Sequence, residues 1–164
     1  MTALPKSAEF SDTEAQAARF DWQRWTVKGN ALAQAGDVAA AERCYEAAMQ
    51  CAMKVMSQRG VDAAAVDMAV TMLVISAGNL ARVLDTLSGR LSANAVLNAS
   101  LLTFASVLKS EHISDEVKIA AAKHVPRLRA QMSSAMKDDE MLKERCNAIV
   151  AHSAALVRRY VETT

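Results

Sequence analysis

Residues that interrupt helices are scarce in this chain, and their scarcity limits the fold more than any other feature. Alanine, the strongest helix former, occurs 33 times in 164 residues, against five glycines and two prolines. The alternation of apolar and polar residues that is typical of strands is not found. The length is sufficient for one core without disulfide or metal support. We therefore expect an all-α fold, with a flexible segment at residues 1–10 before a single helical domain at residues 11–164.

Charge and cysteine content narrow the class of protein. Nineteen basic and 18 acidic residues give a net charge of +1, which supplies no electrostatic attraction to nucleic acids or anionic membranes. Residues 1–10 lack the apolar run of a secretion signal, and the cysteines, Cys44, Cys51 and Cys146, are odd in number. We therefore expect a cytoplasmic protein with free thiols and no nucleic-acid partner.

Two stretches without charged residues raise the question of membrane insertion. Residues 68–81 are too few to span a bilayer, and residues 91–108 contain six serine, threonine and asparagine side chains. Burying those polar groups in lipid would be costly unless they paired within the protein. We expect both stretches to form central helices, buried by neighbouring helices, without membrane insertion.

Caps and breaks divide the chain into six helices. The Ser11–Glu14 segment forms a capping box, Asp37, Ser92 and Ser114 are candidate N-caps, and Pro126 should break a helix near Val125. The expected helices lie at about 11–35, 38–58, 62–87, 93–110, 114–125 and 138–161, with glycine stops at Gly36, Gly60 and Gly89. The last helix carries an apolar stripe opposite a charged face, which suits a capping helix: Leu142, Cys146, Ile149, Ser153, Leu156 and Tyr160.

The first two helices alternate small and large residues in a specific order. They carry Trp25, Gly29 and Leu32, then Ala41, Tyr45 and Ala48, with Gly36 and Asp37 at the turn. Gly29 and Ala41 lack bulk where two antiparallel helices would cross closely, and the large residues would fill the space around them. An ordinary helical hairpin with the same alternation is the alternative.

This pattern at residues 22–55 resembles one tetratricopeptide repeat, a helical hairpin of about 34 residues. A degenerate second copy covers residues 74–107, with Leu80, Ala81, Leu84, Ala93, Leu97 and Ser100 at the matching positions. Residues 110–164 would form a third hairpin and a cap. The resemblance implies a short, right-handed, TPR-like array of stacked antiparallel hairpins; a bundle without repeats is the alternative.

Motifs of catalysis and metal binding are absent from the sequence. The glycines are isolated, no HExxH or Glu-x-x-His pattern occurs, and His112, His124 and His152 are spaced too irregularly to share one helix face. We therefore expect neither enzymatic activity nor a metal or other cofactor.

In tetratricopeptide proteins the first helices of the hairpins line a groove that holds a peptide of a partner. The resemblance implies that six residues face such a groove here: Gln23, Thr26, Asn30, Gln34, Asn79 and Arg82. Asn30 and Asn79 match asparagines that hold a peptide backbone, because an amide both donates and accepts hydrogen bonds. Thr26 replaces the lysine that some members use to bind a carboxylate, so we expect an uncharged peptide groove.

These features together favour a cytoplasmic adaptor or chaperone that binds a peptide or helix of another protein. A self-associating helical bundle is the alternative, and it is suggested by residues 91–108, which carry no charge. Two methionine series on the second and third helices either fill gaps in the core or form a pliable groove for a partner: Met49, Met53 and Met56, then Met68 and Met72.

Overall fold

The computed structural model describes residues 12–58 and 61–163. Seven α-helices make up this part of the chain, and a short 3₁₀ helix at Ala135–Lys137 precedes the last of them. They are α1 (Asp12–Gln34), α2 (Val38–Met56), α3 (Ala63–Leu87), α4 (Arg90–Lys109), α5 (Asp115–Ala122), α6 (Val125–Met132) and α7 (Glu140–Thr163). Because the described residues contain no strand, the predicted all-α class is confirmed. The predictions for residues 1–10, the Ser11 cap and the Gly60 stop lie outside the described residues.

The helices form a stacked array with α3 at its centre. Each of the first four helices packs against the next, and α3 also packs against α1, α5 and α6. The last helix, α7, covers α4, α5 and α6. One large core cluster runs from α2 to α7, with Phe104, Met72 and Leu73 among its fully buried side chains. The right-handed TPR-like arrangement of this array stays a prediction.

Small residues let α1 and α2 approach each other closely. Ala41 and Ala48 are fully buried, and a Cβ atom added to Gly29 would lie 2.7 Å from Cε1 of Tyr45. Gly36 turns the chain with a φ of +82°, and the Asp37 side chain accepts a hydrogen bond of 3.1 Å from the Ala40 amide as the predicted N-cap of α2. The Tyr45 ring therefore occupies the space that the missing Gly29 side chain leaves.

The tryptophan that packs against the core is Trp22 rather than the expected Trp25. The Trp22 indole contacts the core cluster, and its Nε1 donates a 2.9 Å hydrogen bond to Oγ of Ser76, a fully buried residue of α3. Both tryptophans are partly buried, but Trp25 belongs to neither core cluster of the described residues, and Arg24 and Lys28 lie over its ring at 5.1 and 5.6 Å from the centroid. The face of α1 that meets α3 thus begins three residues before the position that the repeat pattern indicated.

The second hairpin buries the residues of the degenerate copy, but its second helix begins earlier than predicted. Leu80, Ala81, Ala93, Leu97 and Ser100 are buried, and Leu84 is partly buried against the core. The predicted Ser92 cap is wrong, because α4 already begins at Arg90 and Ser92 lies in its first turn. Gly89 occupies the N-cap position with a φ of +83°, which lets the chain turn sharply out of α3.

The C-terminal half confirms the predicted break at Pro126. Helix α5 begins after the Ser114 N-cap and ends at Ala122; α6 begins at Val125 with Pro126 in its first turn, where the missing amide is not needed. Nε2 of His124, at the break, lies 2.9 Å from Oδ1 of Asp67 and so ties this corner to α3. The 3₁₀ helix at Ala135–Lys137 was not predicted. The stripe of α7 faces inward, with Tyr160 partly buried and the other five residues buried.

Two of the helices meet the length and composition criteria for a membrane span. These are α3 and α4, whose most apolar windows of 18 residues are 56% and 44% buried inside the protein. Core helices of soluble proteins meet the same criteria, and both helices pack here against several neighbours. The absence of membrane insertion stays a prediction.

The contact between Gly29 and Tyr45 can be tested by Gly29→Ala. Alanine is favoured over glycine in a helix by about 1 kcal/mol, but overpacking a tight contact costs about 1–3 kcal/mol. We expect the overpacking to dominate, so that Gly29→Ala lowers the free energy of unfolding in urea denaturation. In a Tyr45→Leu background the ring is gone, and we expect the same substitution to be neutral or stabilising. Equal effects in both backgrounds would show that the ring does not limit this position.

The assignment of Trp22 to the core can be tested by comparing two matched substitutions. Trp22→Phe removes the donor to the buried Ser76 hydroxyl, and we expect it to lower the free energy of unfolding by about 1–3 kcal/mol. We expect Trp25→Phe to change it by only about 0.5 kcal/mol, because that ring is partly exposed. Urea unfolding followed by circular dichroism measures both values. If Trp25→Phe lowered the free energy of unfolding more than Trp22→Phe does, the assignment of Trp22 to the core would be wrong and Trp25 would be the core residue.

Candidate functional site

Three of the six predicted groove residues come together in the structure. Asn30, Asn79 and Arg82 line a surface depression of about 370 Å³ between α1, α2 and α3, which we call the α1–α3 pocket. Its other lining residues are Ala33, Val38, Tyr45, Val83 and Thr86. The two asparagines, which are far apart in sequence, therefore line one pocket.

The other three predicted residues do not line this pocket. Gln23 and Gln34 are exposed on α1, and Thr26 is partly buried on the same helix. Oγ1 of Thr26 is buried and has no hydrogen-bond partner within residues 12–58 and 61–163. The face of α1 predicted from the repeat pattern is thus divided, and only Asn30 contributes to the α1–α3 pocket.

Hydrogen bonds inside the α1–α3 pocket orient both amide groups. The Tyr45 hydroxyl donates a 2.8 Å hydrogen bond to Oδ1 of Asn30, and burial raises the pKa of Tyr45, which keeps the hydroxyl protonated. Nη2 of Arg82 donates a 2.6 Å hydrogen bond to Oδ1 of Asn79. Because a guanidinium group has only donors, the amide oxygen of Asn79 must face it and the Asn79 NH₂ group is left for a ligand. The pocket therefore offers mainly N–H donors.

A second depression adjoins the first and shares Asn79 and Arg82 with it. This α3–α6 pocket, of about 460 Å³, lies between α3, α4 and α6. The polar side chains on its walls include those of Asn79, Arg82, Asp85, Arg90, Asn94, Arg127, Gln131 and Ser134. The two pockets meet at Asn79 and Arg82, and we refer to the pair as the groove. Sequence reasoning missed its α4 wall because only the first helix of each hairpin was expected to line the groove, and its α6 wall because no repeat residues could be matched after residue 107.

The α3–α6 pocket carries an excess of positive charge. Arg90 is neutralised by Asp85 at 3.3 Å and by Asp138 at 3.2 Å. Arg82 and Arg127 have no carboxylate partner in the part of the chain that the structure describes. Two arginines on the wall of this pocket are therefore left without a carboxylate partner, although the groove expected from the sequence was uncharged.

Asn94, on the α4 wall of the same pocket, has one unused polar atom. The residue is only 7% exposed, and its Nδ2 donates a 3.1 Å hydrogen bond to Oδ2 of Asp139. Its Oδ1 is buried and accepts no hydrogen bond from the described residues. An unsatisfied buried acceptor is destabilising by about 1–3 kcal/mol, so a donor from water or from a ligand would stabilise the protein at this atom.

The thiols are poor candidates for nucleophilic chemistry. All three cysteines are free, with Cys44 and Cys146 buried and Cys51 partly buried. Burial raises the pKa values of the Cys51 and Cys146 thiols, and the reactive species is the thiolate. Among residues 12–58 and 61–163, no group of three histidine, cysteine or acidic side chains could hold a metal ion.

The methionine series pack mainly into the core. Met72 and Met56 are buried, and Met49 and Met68 pack against the core cluster. Met53 is the exposed member, at 37%. Gap filling among alanines therefore accounts for four of the five side chains, and none of them lines the α1–α3 or the α3–α6 pocket.

Comparison with known proteins identifies a family. The model of a family described as "Protein of unknown function (DUF2753)" matches residues 20–160, which include every residue that lines the two pockets. The chain therefore belongs to this family. No curated protein and no solved structure gives a significant match to the chain.

Proposed function

We propose that this member of the DUF2753 family is a non-enzymatic, cytoplasmic protein-interaction module, an adaptor or chaperone whose groove holds an extended segment of a partner protein. The observation that carries the proposal is the adjoining pair of pockets across α1, α3 and α6, joined by Asn79 and Arg82. Neither nucleic-acid binding nor membrane insertion is part of this function.

The chemistry of the groove suits a polypeptide backbone. An extended peptide presents a carbonyl acceptor at every residue, and the α1–α3 pocket presents N–H donors from the Asn79 amide and the Arg82 guanidinium. Apolar atoms of Ala33, Val38 and Val83 lie beside these donors and could contact side chains of the bound segment. Small polar ligands would use the donors but leave the apolar walls uncovered.

Photo-crosslinking tests whether a partner occupies this groove. We place benzoylphenylalanine at Thr86, an exposed residue of the α1–α3 pocket, and at Arg43, an exposed residue of α2 outside both pockets. We expect a partner peptide crosslinked from Thr86 and absent from Arg43, identified by mass spectrometry. Crosslinks that are equal at both positions would contradict binding in the groove.

A charge reversal in the groove gives the matching loss-of-function test. Arg82→Glu places a carboxylate where carbonyl groups of the partner would bind, and we expect at least tenfold weaker capture of the crosslinked partner. Arg43→Glu makes the same change of charge outside the groove and should keep wild-type capture. Because Arg82 and Arg43 are both exposed, we expect melting temperatures within about 2 °C of wild type. Equal capture by both variants would contradict the proposal.

Self-association is a second candidate function, favoured by the exposed apolar residues of α4. Leu91 is 87% exposed and Leu102 is 52% exposed, and residues eleven apart lie on one helix face. Helix α7 also exposes Met141 and Val157, at 52% and 41%. A second copy of the chain could cover this surface.

Light scattering over a range of concentrations separates the two candidates. For the interaction module we expect a constant mass of 17.6 kDa. A mass that rises with concentration in wild type and stays at the monomer value in Leu102→Glu would instead favour the self-associating bundle.

A further inference from the structure

The α3–α6 pocket is lined by two arginine side chains that form no ion pair with a carboxylate of the described residues. Arg82 on α3 and Arg127 on α6 are both exposed and line the same depression. The third cation, Arg90, already contacts Asp85 and Asp138. A planar guanidinium group binds a carboxylate through two parallel N–H donors, so Arg82 and Arg127 together can hold a negatively charged group.

The same pocket also requires a hydrogen-bond donor from its ligand. Oδ1 of Asn94 is buried and unpartnered within the described residues, while its Nδ2 is held by Asp139. A ligand that satisfies every group must therefore carry a negative charge and a hydrogen-bond donor in one molecule. Asp85 on the pocket wall repels a doubly charged phosphate more strongly than a single carboxylate, so a side-chain carboxylate with a neighbouring backbone N–H suits these groups better.

We propose that the α3–α6 pocket binds an acidic segment of the partner protein, with an Asp or Glu side chain of the segment on Arg82 and Arg127 and a backbone N–H of the segment donating to Oδ1 of Asn94. The inference rests on the proposed function and specifies that the bound segment of the partner is acidic. The bound group is a side-chain carboxylate within an extended segment, because the groove continues past Asn79 into the α1–α3 pocket and leaves room for chain on that side.

Selection from a displayed library of random twelve-residue peptides tests the chemistry without knowledge of the partner. The bait is the full chain as wild type, Arg127→Glu or Arg129→Glu. Arg127 and Arg129 are both exposed on α6, but Arg129 lies outside the α3–α6 pocket, so the two variants differ only in where the charge is reversed. We expect peptides enriched in Asp and Glu for wild type and Arg129→Glu, and loss of that enrichment for Arg127→Glu.

The outcomes separate this inference from the proposed function. Peptides without acidic enrichment, or the same acidic peptides from Arg127→Glu, would overturn the acidic segment while leaving a peptide-binding groove. No selected peptide, together with binding of single-stranded DNA or of vesicles rich in phosphatidylserine, would overturn both. Enrichment of acidic peptides by wild type that is lost in Arg127→Glu supports both the acidic segment and the peptide-binding groove.

A selected peptide, synthesised with an amidated C-terminus, then tests each contact separately. We expect Glu→Gln at its conserved acidic position to weaken binding at least tenfold by fluorescence anisotropy. N-methylation of one neighbouring backbone amide should weaken binding by a similar factor, and methylation elsewhere should have little effect, since only one N–H meets Asn94. Because this second change is made in the peptide, it leaves the buried Asn94 and the fold intact. Uniform tolerance of N-methylation would overturn the Asn94 contact.

Discussion

The structure depends on how closely the other helices approach α3. Its buried face is rich in small residues, with Ala69, Ser76 and Ala77 fully buried. At Gly78 a Cβ atom would overlap the side-chain amide of Gln131, which donates a 2.7 Å hydrogen bond to the Val74 carbonyl oxygen. The lack of a side chain at Gly78 thus lets α6 bind directly to the backbone of α3. Small residues set between the large buried side chains of α3, such as Met72 and Leu73, are what allow neighbouring helices to approach it closely.

The same close approach builds the candidate site. Gln131 and Arg127 are four residues apart and lie on one face of α6, so the contact of Gln131 with α3 also fixes the side of the groove on which Arg127 lies. On α3, Leu80 and Val83 face a small core cluster while the intervening Arg82 and the preceding Asn79 reach the surface. One helix therefore supplies both the packing that holds α1 and α2 and the polar groups at the centre of the groove.

Local sequence signals predicted the features that local interactions determine. The Asp37 cap, the break at Pro126 and the crossing at Gly29 each follow from residues close together in the chain or from one hairpin, and the structure has all three. Asn30 and Asn79, which the resemblance assigned to one groove, line the same pocket, and the peptide groove itself stays a prediction. These successes depend on short-range regularity in the sequence.

The missed features depend on contacts between distant parts of the chain. Trp22 rather than Trp25 meets the core because α3 lies on that side of α1, which the pattern within one hairpin does not specify. The contributions of Arg127 and Asn94 depend on the approach of α4 and α6 to α3, and neither residue belongs to a motif that sequence reasoning could recognise.

Neither the net charge nor Thr26 indicated the arginines of the α3–α6 pocket, because net charge averages over the whole surface and Thr26 does not line this pocket. The chain carries a net charge of +1, yet its carboxylates are distributed unevenly among the arginines with which they form ion pairs. Asp85 and Asp138 both neutralise Arg90, and Asp139 binds Asn94, so three carboxylates near the α3–α6 pocket are already engaged. Arg82 and Arg127 keep their charges toward the groove as a result. Two arginines without carboxylate partners thus face one pocket of a nearly neutral protein because of the pairing pattern of its acids, and pairing is a property of the fold.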